Sequence, residues 1–348
     1  LRRVSKITVA ALAAAALAST TAACGASSTD SDSKGSDGLK VGVAYDVGGR
    51  GDHSFNDSAA RGLDQAKDEL GAEVKELTAT TSDTEADRVD KLTQLAEAGY
   101  NPVIGVGFAY QPSLAKVAKK FPDVNFAIVD STVDAKNVAG LVFAEQEVSY
   151  LAGVAAAHKS KSGDIGFIGG TDNPLILKFQ AGFEKGVADT DPKAKVTSEF
   201  LAEDEAGFGM PDKGLQTAQG MLARGTDVIY HAAGGSGSGV IEAVGKAKNK
   251  NAWAIGVDSD QAIDPGLADY KDRILTSAMK NVDVAVFDMV KSVKDGKPIT
   301  GTRSFSLAED GVKLATTGDH LKDIQADIDA AREKIANGEI KVPTTPAK

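Results

Sequence analysis

The chain has 348 residues, enough for two domains of ordinary size, and 42% of them are apolar, enough to bury sizeable cores. A formal net charge of −10 at pH 7 makes a poor surface for nucleic acid or an anionic membrane and suits a soluble body with a small or neutral ligand. The single cysteine, Cys24, excludes an internal disulfide and a thiolate metal cluster.

At the N-terminus, Arg2-Arg3-Val4-Ser5-Lys6 reads as a basic region. Ile7 to Ala18, interrupted only by Thr8, is an apolar stretch too short for an ordinary membrane span. Thr21-Ala22-Ala23-Cys24 then sets small residues before the cysteine. This resembles a bacterial lipobox, with Thr21 where Leu is usual. Residues 1–23 are therefore expected to be a lipoprotein signal peptide, with Cys24 diacylated as the mature N-terminus. The alternative is an ordinary signal peptide cut nearby. Residues 24–38 are small and polar, cannot bury enough surface to order themselves, and read as a flexible tether.

From residue 39 strands and helices alternate. Leu39 to Ala44 reads as a buried strand, and Ser58 to Leu70 carries Ala59, Leu63, Ala66 and Leu70 at helical spacing. Between them lies Asp46-Val47-Gly48-Gly49-Arg50-Gly51-Asp52-His53-Ser54-Phe55-Asn56: a carboxylate leaving a strand, a glycine-rich turn, and Asn56 placed to cap the helix. Further strands are expected at Glu73–Ala79, Pro102–Gly107, Asn125–Asp130 and Val138–Phe143, with helices at Thr84–Ala98 and Pro112–Lys120. The rhythm then starts afresh. Helices are expected at Gln146–His158, Pro174–Ala188, Asp212–Arg224, Val240–Lys248 and Val282–Val293. Strands fall at Asp164–Ile168, Lys195–Phe200, Asp227–His231, Ala252–Asp258 and Ile274–Ala278. Arg303–Leu307 and Val312–Leu314 suggest a short antiparallel pair, and His320–Ala336 a terminal helix. Two such units mean an α/β chain of two lobes, each a doubly wound, mostly parallel sheet with helices on both faces. A deep site would lie between them, beyond the carboxyl ends of the strands.

The four histidines stand at no metal spacing, and the glycine-rich Gly234–Gly239 fits neither a nucleophile elbow nor a phosphate loop. No catalytic set, metal site or cofactor is expected. What remains can hold a solute. Asp46, Asp130 and Asp258 end three strands and Lys280 follows a fourth, while Phe55, Phe108 and Phe208 fall in loops. Phenyl faces can stack a flat heterocycle, and carboxylates accept from ring N–H, amino or hydroxyl groups. Lobe packing is the plainer explanation of Phe108.

Taken together these residues resemble the basic membrane lipoprotein family, the purine nucleoside receptor A-like substrate-binding proteins of certain ABC importers. The most specific piece is D-x-G-G-x-x-D-x-S-F-N, here Asp46 to Asn56; Phe126–Ser131, Glu147–Ala155, Ala232–Gly235, Gly256–Asp260 and Thr276–Asn281 support it. The resemblance implies a two-lobed type I periplasmic-binding-protein fold with three hinge crossings, near Val138–Ala144, Ile255 and Lys280. Lobe 1 would be 39–143 plus about 256–283, and lobe 2 would be 144–255 plus about 284–348. It implies Phe55 and Phe208 sandwiching a base, Asp46 and Asn56 on the base edge with Asp130 nearby, and Gly234, Asp258 and Lys280 on the ribose. The implied partners are a nucleoside, ABC permease subunits and the membrane through lipid on Cys24, with the protein a monomer on the extracytoplasmic face of the cell membrane. The alternatives are a receptor for another small polar solute, such as a sugar or amino acid, and a Rossmann-type enzyme.

Overall fold

Apolar runs bounded by glycine and proline build the strands: β1 (Lys40–Tyr45) has five of its six residues buried. The computed structural model describes residues 38–347, so the expected leader, Cys24 and all but the last residue of the tether lie outside the described residues. After β1 come α1 (Phe55–Leu70), β2 (Glu73–Thr78), α2 (Glu85–Glu97), β3 (Val103–Val106), α3 (Gln111–Lys120), β4 (Phe126–Val129) and β5 (Val138–Phe143). Then follow α4 (Glu145–Lys159), β6 (Asp164–Thr171), α5 (Pro174–Thr190), β7 (Lys195–Ala202), α6 (Pro211–Ala223), β8 (Val228–Ala232), α7 (Gly237–Gly245), β9 (Trp253–Asp258) and β10 (Ile274–Lys280). The chain closes with α8 (Val282–Lys294), β11 (Gly301–Phe305), β12 (Val312–Leu314) and α9 (Gln325–Ala336).

Two six-stranded sheets result, in the orders β11-β5-β4-β3-β1-β2 and β12-β10-β9-β8-β6-β7. Every pairing is parallel except β10 with β12. Strand alternation sends side chains to opposite faces. In the first sheet Val43 and Tyr45 pack with Leu63 of α1, whereas Ala44 packs with Leu92 of α2 and Leu114 of α3. In the second, Phe167 and Tyr230 pack with Phe183 of α5, and Ile168 and Ile229 with Met221 of α6 and Val240 of α7. Helices thus cover both faces of both sheets, as the alternation of elements requires.

Three boundaries differ from the sequence reading. Residues 256–280 do not return to lobe 1: β9 pairs with β8, and β10 with β9, in the second sheet. The chain crosses at Ala144, then at Asn281 into α8, which packs on α1, then at Ser306 after β11 has joined β5. Residues 282–305 are therefore the returning segment, set by strand partners that local pattern cannot reveal. For the same reason β11 and β12 do not form a hairpin; they lie in different sheets. The terminal helix starts at Gln325, after a short 3₁₀ turn over Lys322–Ile324.

Candidate functional site

The parallel strands deliver their carboxyl ends to one cleft. Asp46 follows β1, Asp130 follows β4, and Asp258 and Lys280 close β9 and β10. Asp130 and Asp258 sit at φ 66° and 64°, the left-handed region that Asp tolerates better than most side chains and that clusters at functional sites. All eight expected ligand residues line a single cavity: Asp46, Phe55, Asn56, Asp130, Phe208, Gly234, Asp258 and Lys280. Phe108 lines it too, as do Asp52, a fixed position of the Asp46–Asn56 motif, and Gly107, Leu175, Ile176 and Phe179, which local pattern did not single out. About 530 Å³ of space lies among the lining atoms, part of it open solvent.

The aromatics are not on free loops. Phe55 is the first residue of α1, and Phe108 and Phe208 each stand on a short 3₁₀ turn. Phe108 from lobe 1 meets Phe208 from lobe 2 edge to face, with centroids 6.3 Å apart and planes at 68°. Two glycines make room. A Cβ on Gly170 would stand 2.4 Å from the Phe208 ring. At Gly107, φ is +111° and a Cβ would stand 2.3 Å from Asp46 Oδ2, so only glycine fits on both counts.

Asn56 does not cap α1. The cap position is Ser54, and its side chain makes no capping bond. Asp52 does that work, accepting from the backbone N–H of Ser54 (2.9 Å), Asn56 (2.8 Å) and Asp57 (3.0 Å). Burial pushes its carboxyl above the ordinary range, and those N–H groups pull it back. Asn56, in the first turn, donates Nδ2 to Asp52 Oδ2 at 3.0 Å and to Val47 O at 3.3 Å.

Lys280 is 2% exposed and carries the cavity's cation. Its Nζ lies 2.6 Å from Asp130 Oδ2 and 3.5 Å from Glu145 Oε1. It also stands 5.1 Å from the Phe55 and Phe143 centroids and 5.6 Å from that of Phe179, within cation–π reach of all three rings. Burial pulls its pKa down, but the charges of Asp130, Glu145 and Asp258 outweigh it and raise the ammonium above its usual value. Glu145, fully buried at the first crossing, bonds Lys178 at 3.2 Å on its other side. Its role rests on partners distant in sequence, and no local signal marks it.

Acceptors dominate the remaining wall. Burial, then the charge of Glu205, raise Asp46 to about 7. Burial raises Asp258 to about 6, against Lys280 and the 2.7 Å bond from Ser54 Oγ. Outside the cavity's lining, buried His231 is pulled down to about 4 by desolvation, and its Nε2 lies 3.0 Å from Gln261 Oε1.

The lobes are closed on each other along a polar seam. Ser259 Oγ donates to Ser54 O at 2.9 Å, Gln261 Nε2 to His53 O at 2.9 Å, and Arg61 Nη2 to Ser259 Oγ at 3.0 Å. Arg88 of α2 pairs with Glu205 beside Phe208. His53, Asp57 and Asp264 bring ligating atoms within 4.8 Å of one another. Asp57 spends its oxygens on the N–H groups of Gly51 and His53, and His53 Nδ1 lies 2.8 Å from Asp264 Oδ1. The trio is a hydrogen-bonded clasp.

Comparison with known proteins fits this geometry. Residues 39–346 match the family model described as ABC transporter substrate-binding protein PnrA-like. A CD4+ T-cell-stimulating antigen of Listeria innocua is 37% identical over 342 residues, covering 93% of this chain and 94% of the relative. The ABC transporter nucleoside-binding protein BmpA of Lactococcus lactis subsp. cremoris is 35% identical over 323 residues, covering 88% and 89%. Among solved structures, an ABC transporter system solute-binding protein from Aeropyrum pernix K1 superposes with a TM-score of 0.77 at 29% identity, covering 89% of this chain and 94% of that one.

Proposed function

The chain belongs to the family of PnrA-like ABC transporter substrate-binding proteins, and from that premise we propose that it captures a nucleoside, purine by preference, between its lobes and delivers it to an ABC permease. The cleft's composition carries this reading: phenylalanine rings, acid acceptors and one charge-balanced lysine line the same cavity. In this reading Phe55 and Phe208 flank the base, a contact worth roughly 1–3 kcal/mol per ring by analogy with base stacking. Asp46, Asn56 and Asp130 accept from the base edge. Asp258, Lys280 and Gly234 address the sugar hydroxyls, Lys280 donating and Asp258 accepting. The name of the Lactococcus relative supports the ligand class.

Lobe closure about the three crossings is the signal a permease would read. Lipid on Cys24 would hold the protein, as a monomer, on the extracytoplasmic face of the cell membrane. Mass analysis of small molecules released from natively purified protein tests the ligand. A nucleoside is the expected find. A sugar or amino acid would replace this reading with that of another polar solute, and release of free base from added nucleoside would favour an enzyme.

A further inference from the structure

The Asn56 amide has two ends, and only one is spent. Its Nδ2 donates to Asp52 Oδ2 and Val47 O. Both partners are acceptors. Turning the amide over would press Oδ1 against a carboxylate and a carbonyl, so its orientation follows from the network. Asn56 Oδ1 is left buried and without a partner, on a residue 2% exposed that lines the cavity. Asp130 Oδ1 is a second buried acceptor without a partner in the same wall.

We propose that Asp52 is a positioning residue that fixes Asn56 as an acceptor, so that the cleft selects solutes presenting an N–H donor to it. This rests on the nucleoside reading and narrows it to bases bearing an amino or ring N–H, such as those of adenosine, inosine and guanosine. Purine riboside, whose unsubstituted base has no N–H, leaves the acceptor unfilled. A site built around a buried hydrogen bond rejects an analogue that lacks it far more strongly than one differing in a methylene.

The experiment compares dissociation constants for adenosine, inosine and purine riboside. The better of the first two is expected to bind at least about tenfold tighter than purine riboside. Asn56→Ala should narrow that ratio by weakening the donor-bearing ligands more than purine riboside, with Asp46 and Asp130 keeping what remains of it. Asp52→Asn, which frees the amide to turn, should compress it too, and Asp52→Ser does the same while keeping a capping oxygen. A wild-type ratio under about threefold, or one unchanged in Asn56→Ala, overturns the proposal. If the Asp52 variants fail to fold, side-chain amide NMR of the unmutated protein decides. The Asn56 NH₂ protons should exchange slowly and show no contact with bound ligand; rapid exchange or a direct contact overturns it. Absence of binding to every nucleoside would instead remove the nucleoside reading itself.

Discussion

An ammonium enclosed by Asp130, Glu145 and three phenyl rings, at 2% exposure, is costly to remove because its partners stay behind as buried charges. Lys280→Met should therefore destabilise the fold by about 3–5 kcal/mol, read as a fall in denaturation midpoint, and adding Asp130→Asn should recover part of the loss. Asp46 makes the opposite case. Its carboxyl ordinarily titrates at 3.8 and is raised to about 7 by burial and Glu205, so the folded state binds the proton more tightly than the unfolded chain. That contribution is complete below about pH 4 and is lost as pH rises through about 7. Asp46→Asn should raise Tm by a few degrees at pH 8, with the two melting curves converging by about pH 4; a difference independent of pH would contradict this. Strand-terminal acids were legible because a carboxylate after an apolar run stands out. The roles of Asp52 and Glu145 were not, since they are set by an amide four residues on and by a lysine on a strand far along the chain.

The glycine turn and the helix after it hold Asp52, Phe55 and Asn56 as one element. Asp52 satisfies three of the N-terminal N–H groups of α1, so Asp52→Ala should cost about 1–2 kcal/mol and weaken nucleoside binding through Phe55 and Asn56. On the opposite wall, Gly170→Ala would drive a methyl to 2.4 Å from the Phe208 ring. Affinity should drop about tenfold while Tm changes by only a few degrees; calorimetry and thermal melting on the same sample separate the two. Helix and strand positions followed from apolar period and turn chemistry. Strand partnership did not, because β11 pairs with β5 and β12 with β10 across long stretches of chain.

At the scale of the molecule, the chain passes between lobes at Ala144, Asn281 and Ser306, and the far side of the cleft is clasped by Arg88 and Glu205. Two lobes and three crossings were readable from the repeated rhythm and the family resemblance; which segment returns was not, since it depends on which sheet accepts β9 to β11. Arg88→Ala should loosen closure, enlarging the radius of gyration with ligand present and raising the dissociation rate several-fold. Calorimetry on residues 38–348 asks whether this cleft clamps a nucleoside. Titration with adenosine, guanosine, inosine, uridine and cytidine should give saturable heat with at least one purine nucleoside, lost in Phe55→Ala. No heat from any of the five would rule out a nucleoside as the solute of this cleft.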